Sequence, residues 1–195
     1  RGAAPIQWAL MNGDSSTGIS IFQIEKKVDT GKIIFQEAIK IENEDNFETL
    51  SIKLSTLGGE ALIKSLEMLN KDKTNLIIQN NSKFTLAPKI DKNMLKINWS
   101  WNGEKINNWV RGLSPYPAMY TVYNEKKIKI FKVQLLKKIS NSHPGKIELI
   151  DSKKLIIHSK NYQVSVLELQ HEGKKRLKIE DFLKGSNFEK GQNFS

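Results

Sequence analysis

Cysteine is absent from the 195 residues, which excludes disulfides and thiolate metal sites and points to a cytoplasmic address. No apolar run approaches the ~20 residues that a membrane-spanning helix needs. The N-terminus also lacks the basic-then-apolar pattern of a secretory signal. Phosphate-cradling glycine loops of the GxxxxGK and GxGxxG types are missing, as are HExxH, CxxC and GxSxG. The three histidines, His143, His158 and His171, are not spaced for a metal and read as ordinary surface or partly satisfied side chains. Arginine is scarce, with 3 residues against 28 lysines. The chain opens on Arg1 rather than Met, so its start is not expected to be the native one.

What is present is positive charge, unevenly spread. Residues 1–70 carry 7 basic and 10 acidic side chains, whereas residues 71–195 carry 24 and 11. A basic part joined to a mildly acidic one suggests that one segment handles a polyanion and the other does something else. Lysine suits phosphate contacts, while bidentate base reading favours arginine. The composition therefore points to backbone or shape recognition of nucleic acid, or simply to a lysine-rich background.

Apolar spacing predicts a short helix in AAPIQWALMNGD (3–14), closed by Gly13. Two strands follow, around Ile19–Ile24 and Ile33–Ile41, joined by the short glycine-containing loop VDTGK (28–32) into an antiparallel hairpin. Asp45 or Asn46 caps a long helix carrying Leu50, Leu54, Ala61 and Leu66, with Gly58 and Gly59 read as sites of close packing. A polar stretch from Asn70 reads as a linker with at most one short strand, which sets domains at 1–75 and 92–195 with a linker over 76–91. Strands are then expected in MLKINWS, AMYTVYN, KIKIFKVQLL, GKIELI, KLIIHS and YQVSVLELQ, with turns at Asn124-Glu125 and near Asn161. Helices are expected at 103–113 and 179–185. So many short strands suggest a small antiparallel barrel of OB type. The aromatics Trp99, Trp101, Trp109, Phe131 and Tyr162 read as its core.

Asp29 stands alone as a chemical candidate. Asp-Thr-Gly between strands is a strong turn signal, and a lone carboxylate without a partner seldom organises acyl transfer. The turn role and the proton-handling role both remain open from the residues themselves.

Several segments nevertheless match a known family in order and spacing. RGAAPIQ, NGDSSTGISIFQIEKKVDTGKI, FTLAPKI (84–90), INW (97–99), VRGLSPYPA (110–118) and LQHEGKKRLKIEDFLKG (169–185) resemble methionyl-tRNA formyltransferases across nearly the whole chain. Sugar formyltransferases and the folate-hydrolase part of formyltetrahydrofolate dehydrogenase share only the first half of the pattern. The resemblance implies an α/β chain: the C-terminal remnant of a Rossmann-like formyltransferase domain, followed by an antiparallel OB-like β-barrel. It implies 10-formyltetrahydrofolate as formyl donor, no metal, and the amino group of initiator methionyl-tRNA as acceptor. A monomeric enzyme off the membrane is implied for the full-length family.

Of the family's Asn, His and Asp, the Asp falls on Asp29, with Thr30 and Gly31 beside it near the folate. The Asn and His belong to a segment expected upstream of Arg1. The chain is therefore read as the last three-fifths of the enzyme and is expected to be inactive alone. Lys89, Lys126, Lys127, Lys129, Lys132, Lys174, Lys175 and Arg176 are the residues expected to meet tRNA. A stand-alone RNA-binding module is the rival reading from a different class, and a related sugar formyltransferase is the closer enzymatic rival. The truncated-domain reading separately predicts uncovered apolar faces on the 18–41 hairpin and the 46–69 helix.

Overall fold

The computed structural model describes residues 1–71 and 75–195. Two compact units divide it, one of Arg1–Ala9 and Asp14–Lys89, the other of Leu10–Gly13 and Ile90–Ser195. The chain begins with α1 (Pro5–Asn12), β1 (Ser16–Phe22), β2 (Ile33–Lys40) and α2 (Phe47–Asn70).

In the first unit β1 and β2 pair antiparallel from Ser16–Lys40 to Phe22–Ile33, with a bulge at Ile21/Phe22. The connection is ten residues long, not the tight loop expected from sequence. Ile24, expected in β1, lies outside the strand and is 95% exposed. Gln23 N–H still reaches the Lys32 carbonyl beyond the bulge, at 3.0 Å. A third strip of backbone joins from further along the chain: Ile77 and Ile33 exchange hydrogen bonds at 2.8 and 2.9 Å.

The helix α2 starts where a reciprocal cap forms. Asn46 Oδ1 accepts from Thr49 N–H, and Thr49 Oγ1 accepts from Asn46 N–H, both at 3.0 Å. Its buried side, including Leu50, Leu54 and Ala61, packs on the β1–β2 sheet. Of the two glycines, Gly58 comes only into ordinary van der Waals range of Ile19, and Gly59 faces open space. The close packing expected at both is therefore absent at Gly59. The outer side leaves Ile52, Leu62, Ile63 and Leu66 exposed.

Beneath the cap, the carboxylate of Asp45 accepts from Glu42 N–H (2.9 Å), Thr49 Oγ1 (3.0 Å) and Lys53 Nζ (2.7 Å). Burial pushes this acid up, but the Lys53, Glu42 and Thr49 hydrogen bonds outweigh it and hold it below its ordinary value of 3.8. A carboxylate depressed in the folded state stabilises above its unfolded pKa, and that stabilisation disappears as pH falls through the folded one. Asp45→Asn is thus expected to cost about 1–3 kcal/mol at neutral pH. Urea titrations should show the gap to the native protein closing below about pH 4.

The second unit contains α3 (Gly103–Gly112), β3 (Met119–Tyr123), β4 (Lys126–Ile139), β5 (Ile147–Asp151), β6 (Lys154–His158), β7 (Tyr162–His171), β8 (Leu177–Lys178) and α4 (Ile179–Leu183). The expected strand over MLKINWS is instead a 3-10 turn at Lys92–Leu95, leaving only Lys96 bridged to Tyr120. Asp91 accounts for this, because its side chain accepts from Asn93 N–H at 2.8 Å and offers the backbone a local alternative to a ladder. Asn124 and Glu125 both take left-handed φ, at 46° and 63°, which makes the tight β3–β4 turn.

The antiparallel sheet runs β3-β4-β7-β6-β5, with β8 also on β7. The last residues bridge its outer strands. Val122 and Ser195 exchange hydrogen bonds at 2.9 and 3.1 Å, and Ile147 bonds to Gln192 and Gly191 at 2.7 and 2.9 Å. Ile106, Val110, Ile128, Ile130, Val164 and Leu169 fill the interior.

Candidate functional site

The loop between β1 and β2 holds Asp29 in a left-handed conformation, φ 56°, which Asp tolerates better than most residues. The residue is half-buried, and among the described residues no hydrogen bond or ion pair reaches its carboxylate. Thr30 next to it is occupied, donating from Oγ1 to the Lys27 carbonyl at 2.9 Å. Gly31 is buried against the opposite side of the loop. A Cβ there would sit 1.6 Å from the Gln23 carbonyl oxygen, so no side chain fits.

The loop is tied down from far along the chain. Gln79 Nε2 donates to the Gly31 carbonyl at 2.7 Å, and Arg1 Nη2 donates to Gln79 Oε1 at 2.7 Å and Asn81 Oδ1 at 2.9 Å. The Arg1 guanidinium lies 4.8 Å from the Phe84 ring centroid, and Ala87 N–H bonds the Arg1 carbonyl at 2.8 Å. Arg1 and Gln79 therefore position the loop through one another. Sequence reasoning named neither, since 78 residues separate them and no local pattern links them. A carboxylate held in this way, with no partner among the described residues, can accept a proton or steady a neighbouring cation. The unit around it contains no histidine.

In the second unit the expected basic residues fall at one end of the sheet and along its outer face. Lys126, Lys127, Lys129 and Lys132 lie exposed on β4, and Lys174, Lys175 and Arg176 lie on the β7–β8 turn. Lys127 and Lys129 alternate with the buried Ile128 and Ile130. A bulge between Ile130 and Val133 then turns Lys132 outward while Phe131 stays inside. The two basic turns meet at His171, opposite Ile128 in the register. Burial first, then the charges of Lys126 and Lys174, push this imidazole below its ordinary 6.5. Its ring stacks on Phe182 at 4.4 Å.

Arg176 is engaged: Glu168 accepts from its Nε at 2.7 Å and also from Nη2, and its guanidinium lies 4.5 Å from the Phe131 centroid. Lys127 Nζ lies 5.0 Å over Tyr120. Lys89 is exposed at the end of the first unit, away from both basic turns in sequence. The second unit also has two open hollows of ≈ 240 and ≈ 380 Å³, the first lined by Lys132, Glu168, Lys178 and Glu180.

One histidine and three of the aromatics depart from the sequence reading. His158 is a buried core residue, with Ser140 Oγ 3.0 Å from Nδ1 and Glu148 Oε2 3.1 Å from Nε2. Trp99 and Phe131 are buried, but Trp101, Trp109 and Tyr162 are only half-buried. No group of three or more potential ligands is placed to hold a metal among the described residues. No helix among them is long and apolar enough to cross a membrane.

Comparison with known proteins gives the following. The formyl transferase model matches residues 1–66, and the model for the formyl transferase C-terminal domain matches residues 89–187. The methionyl-tRNA formyltransferase of Caldanaerobacter subterraneus subsp. tengcongensis is 37% identical over 191 residues, covering 98% of this chain and 62% of that protein. That of Staphylococcus epidermidis is 39% identical over 186 residues, covering 95% and 60%. The chain thus spans about three-fifths of the length of these curated relatives. Among solved structures, HypX from Aquifex aeolicus in complex with tetrahydrofolic acid aligns with a TM-score of 0.70 at 15% identity, over 100% of this chain and 36% of that one. An N-formyltransferase from Helicobacter canadensis with folinic acid and dTDP-3-aminofucose aligns with a TM-score of 0.69 at 20% identity, over 88% and 61%.

Proposed function

Because the chain belongs to the formyl transferase family, we propose that it is the C-terminal three-fifths of a methionyl-tRNA formyltransferase. Such an enzyme moves a formyl group from 10-formyltetrahydrofolate to the amino group of methionine on initiator tRNA, in the cytoplasm and as a monomer. The observation that carries this reading is a carboxylate on a locked loop, reached by no hydrogen bond or ion pair among the described residues, in a chain that also carries a basic sheet face. The apolar residues left exposed on α2, among them Ile63 and Leu66, support it further, since a Rossmann-like domain with more strands would cover them. On this reading the domains are 1–75 and 92–195 with a linker between, and the second is an OB-like barrel. The backbone bonds of residues 191–195 to both outer strands support that barrel.

In the reaction the amine attacks the formyl carbon, its new C–N bond forms as the C–N10 bond breaks, and a proton passes from the amine to N10. Asp29 is proposed to hold the proton in transit, directly or through water, and to steady a cationic partner. Thr30 and Gly31 line the folate side of the same loop. The 195-residue chain alone holds no histidine in the unit carrying Asp29, so no formyl-methionyl-tRNA is expected from it; product in a single-turnover assay would overturn this.

The tRNA side is tested by salt. Lys126, Lys127, Lys129, Lys132, Lys174, Lys175 and Arg176, with Lys89, are proposed to contact phosphates, each neutralised phosphate adding about 0.9 to the slope of log affinity against log salt. Lys126→Ala combined with Lys174→Ala should weaken initiator-tRNA binding and reduce that slope by roughly two. Because Arg176 is already paired with Glu168, Arg176→Ala should change the slope least. A binding constant indifferent to salt would sink the electrostatic interface. A sugar nucleotide acceptor is the second reading, suggested by the Helicobacter canadensis neighbour. It predicts formyl transfer to an amino-sugar nucleotide that tRNA does not inhibit.

A further inference from the structure

Trp101 just precedes Asn102, the N-cap of α3, and Lys105 and Trp109 follow on the helix at intervals of four, so that the three side chains meet in one stripe. The indole centroids are 4.8 Å apart at 55°, and Lys105 Nζ lies 4.2 Å from the Trp101 centroid and 5.7 Å from that of Trp109. Both indoles are half-buried and Lys105 is exposed, so the ammonium covers ring faces that would otherwise meet solvent.

The stripe is firmly seated. Gly103 N–H donates to Asn161 Oδ1 at 2.9 Å, and Lys160 N–H donates to the Trp101 carbonyl at 3.1 Å. The side chain of Lys160 is exposed. Glu104, the acid of this helix, accepts from Asn161 Nδ2 at 3.2 Å. Because Gly103 packs against Leu135, the stripe lies at the opposite end of β4 from Lys126 and is distinct from the basic turns.

We propose that this stripe is a second RNA-contact site, where an unpaired nucleobase stacks on the indole pair and Lys105 moves onto the adjoining phosphate. The inference rests on the reading of this unit as RNA-binding. Single-stranded nucleic acid needs a π-face and nearby positive charge, and the stripe supplies both, with Lys105 Nζ 4.2 and 5.7 Å from the two indole centroids. Every base has a π-face, so the site is tolerant of sequence. An apolar peptide would have no use for Lys105. An acidic peptide would have no use for the indoles.

The test is a fluorescence titration of the chain with a short oligouridylate and, separately, with a short RNA duplex. The oligouridylate should quench tryptophan emission, and Trp101→Leu or Trp109→Leu should each weaken its binding about tenfold with duplex affinity unchanged. Lys105→Met, at an exposed position, should weaken it several-fold and lower its salt dependence. Should a tryptophan variant fail to fold, the native quench and Lys105→Met decide. Duplex binding without oligouridylate binding, or oligouridylate binding indifferent to Lys105→Met, overturns the stacking site and leaves the RNA reading intact. Competition by polyglutamate as effective as by oligouridylate overturns it too. Binding of neither RNA removes the RNA reading together with this site.

Discussion

Asp29→Asn in the proposed enzyme is expected to lower kcat/KM for methionyl-tRNA by about 10²–10⁴-fold, the range that a positioned proton-transfer group contributes. Its thermal midpoint should hardly move. Asn is isosteric with Asp, and it is at home in the left-handed region that Asp29 occupies at φ 56°. No hydrogen bond or ion pair to the carboxylate is lost within the described residues. The substitution therefore removes charge and proton affinity and nothing else. Asp29→Ala does not isolate chemistry in the same way, because left-handed backbone costs alanine about 1–2 kcal/mol. Retention of activity within twofold in Asp29→Asn would reduce Asp29 to the turn residue that local chemistry alone suggests.

That ambiguity shows what a sequence can and cannot state. Features governed by neighbours a few residues apart were legible: a cap at Asp45 or Asn46 opening α2, which Asn46 supplies, and the Asn124-Glu125 turn. Where local side chains compete with a ladder, pattern misled, as at Asp91, whose bond to Asn93 N–H turns an expected strand into a 3-10 turn. Ile24 looked like strand and is almost wholly exposed, because the backbone pairing beyond the bulge reaches only to Gln23 and Lys32. The Trp101–Lys105–Trp109 stripe was visible as spacing, but apolar bulk alone reads as core.

Contacts between distant residues left no trace in the sequence. Arg1 to Gln79 and then to Gly31, and Ser195 to Val122, depend on backbone routes that the composition of those segments does not encode. The candidate site was thus half legible: Asp29 could be named, and what holds Asp29 in place could not.

What holds it is tested most severely at Gly31. Gly31→Ala puts a Cβ 1.6 Å from the Gln23 carbonyl oxygen, where real contacts do not come within 3.0 Å. The clash is with backbone, so no rotamer change relieves it. The loop must part from Gln23, which breaks the Gln23–Lys32 bond and pulls the Gly31 carbonyl from Gln79. An overpacked site with lost hydrogen bonds predicts a destabilisation of about 2–4 kcal/mol, read as a lower urea midpoint at unchanged m. Gln79→Ala, which forfeits the side-chain bonds alone, should cost about 1 kcal/mol. Gly59→Ala is the control: nothing lies within 4 Å of its Cβ position on α2, and alanine should gain roughly 0.8–1 kcal/mol there. Because Asp29 sits two residues from Gly31, Gly31→Ala should lose formyl transfer and stability together, whereas Asp29→Asn loses transfer alone. If Gly31→Ala unfolded at the native midpoint, the loop would not be locked against Gln23, and the case for Asp29 as a pre-positioned carboxylate would go with it.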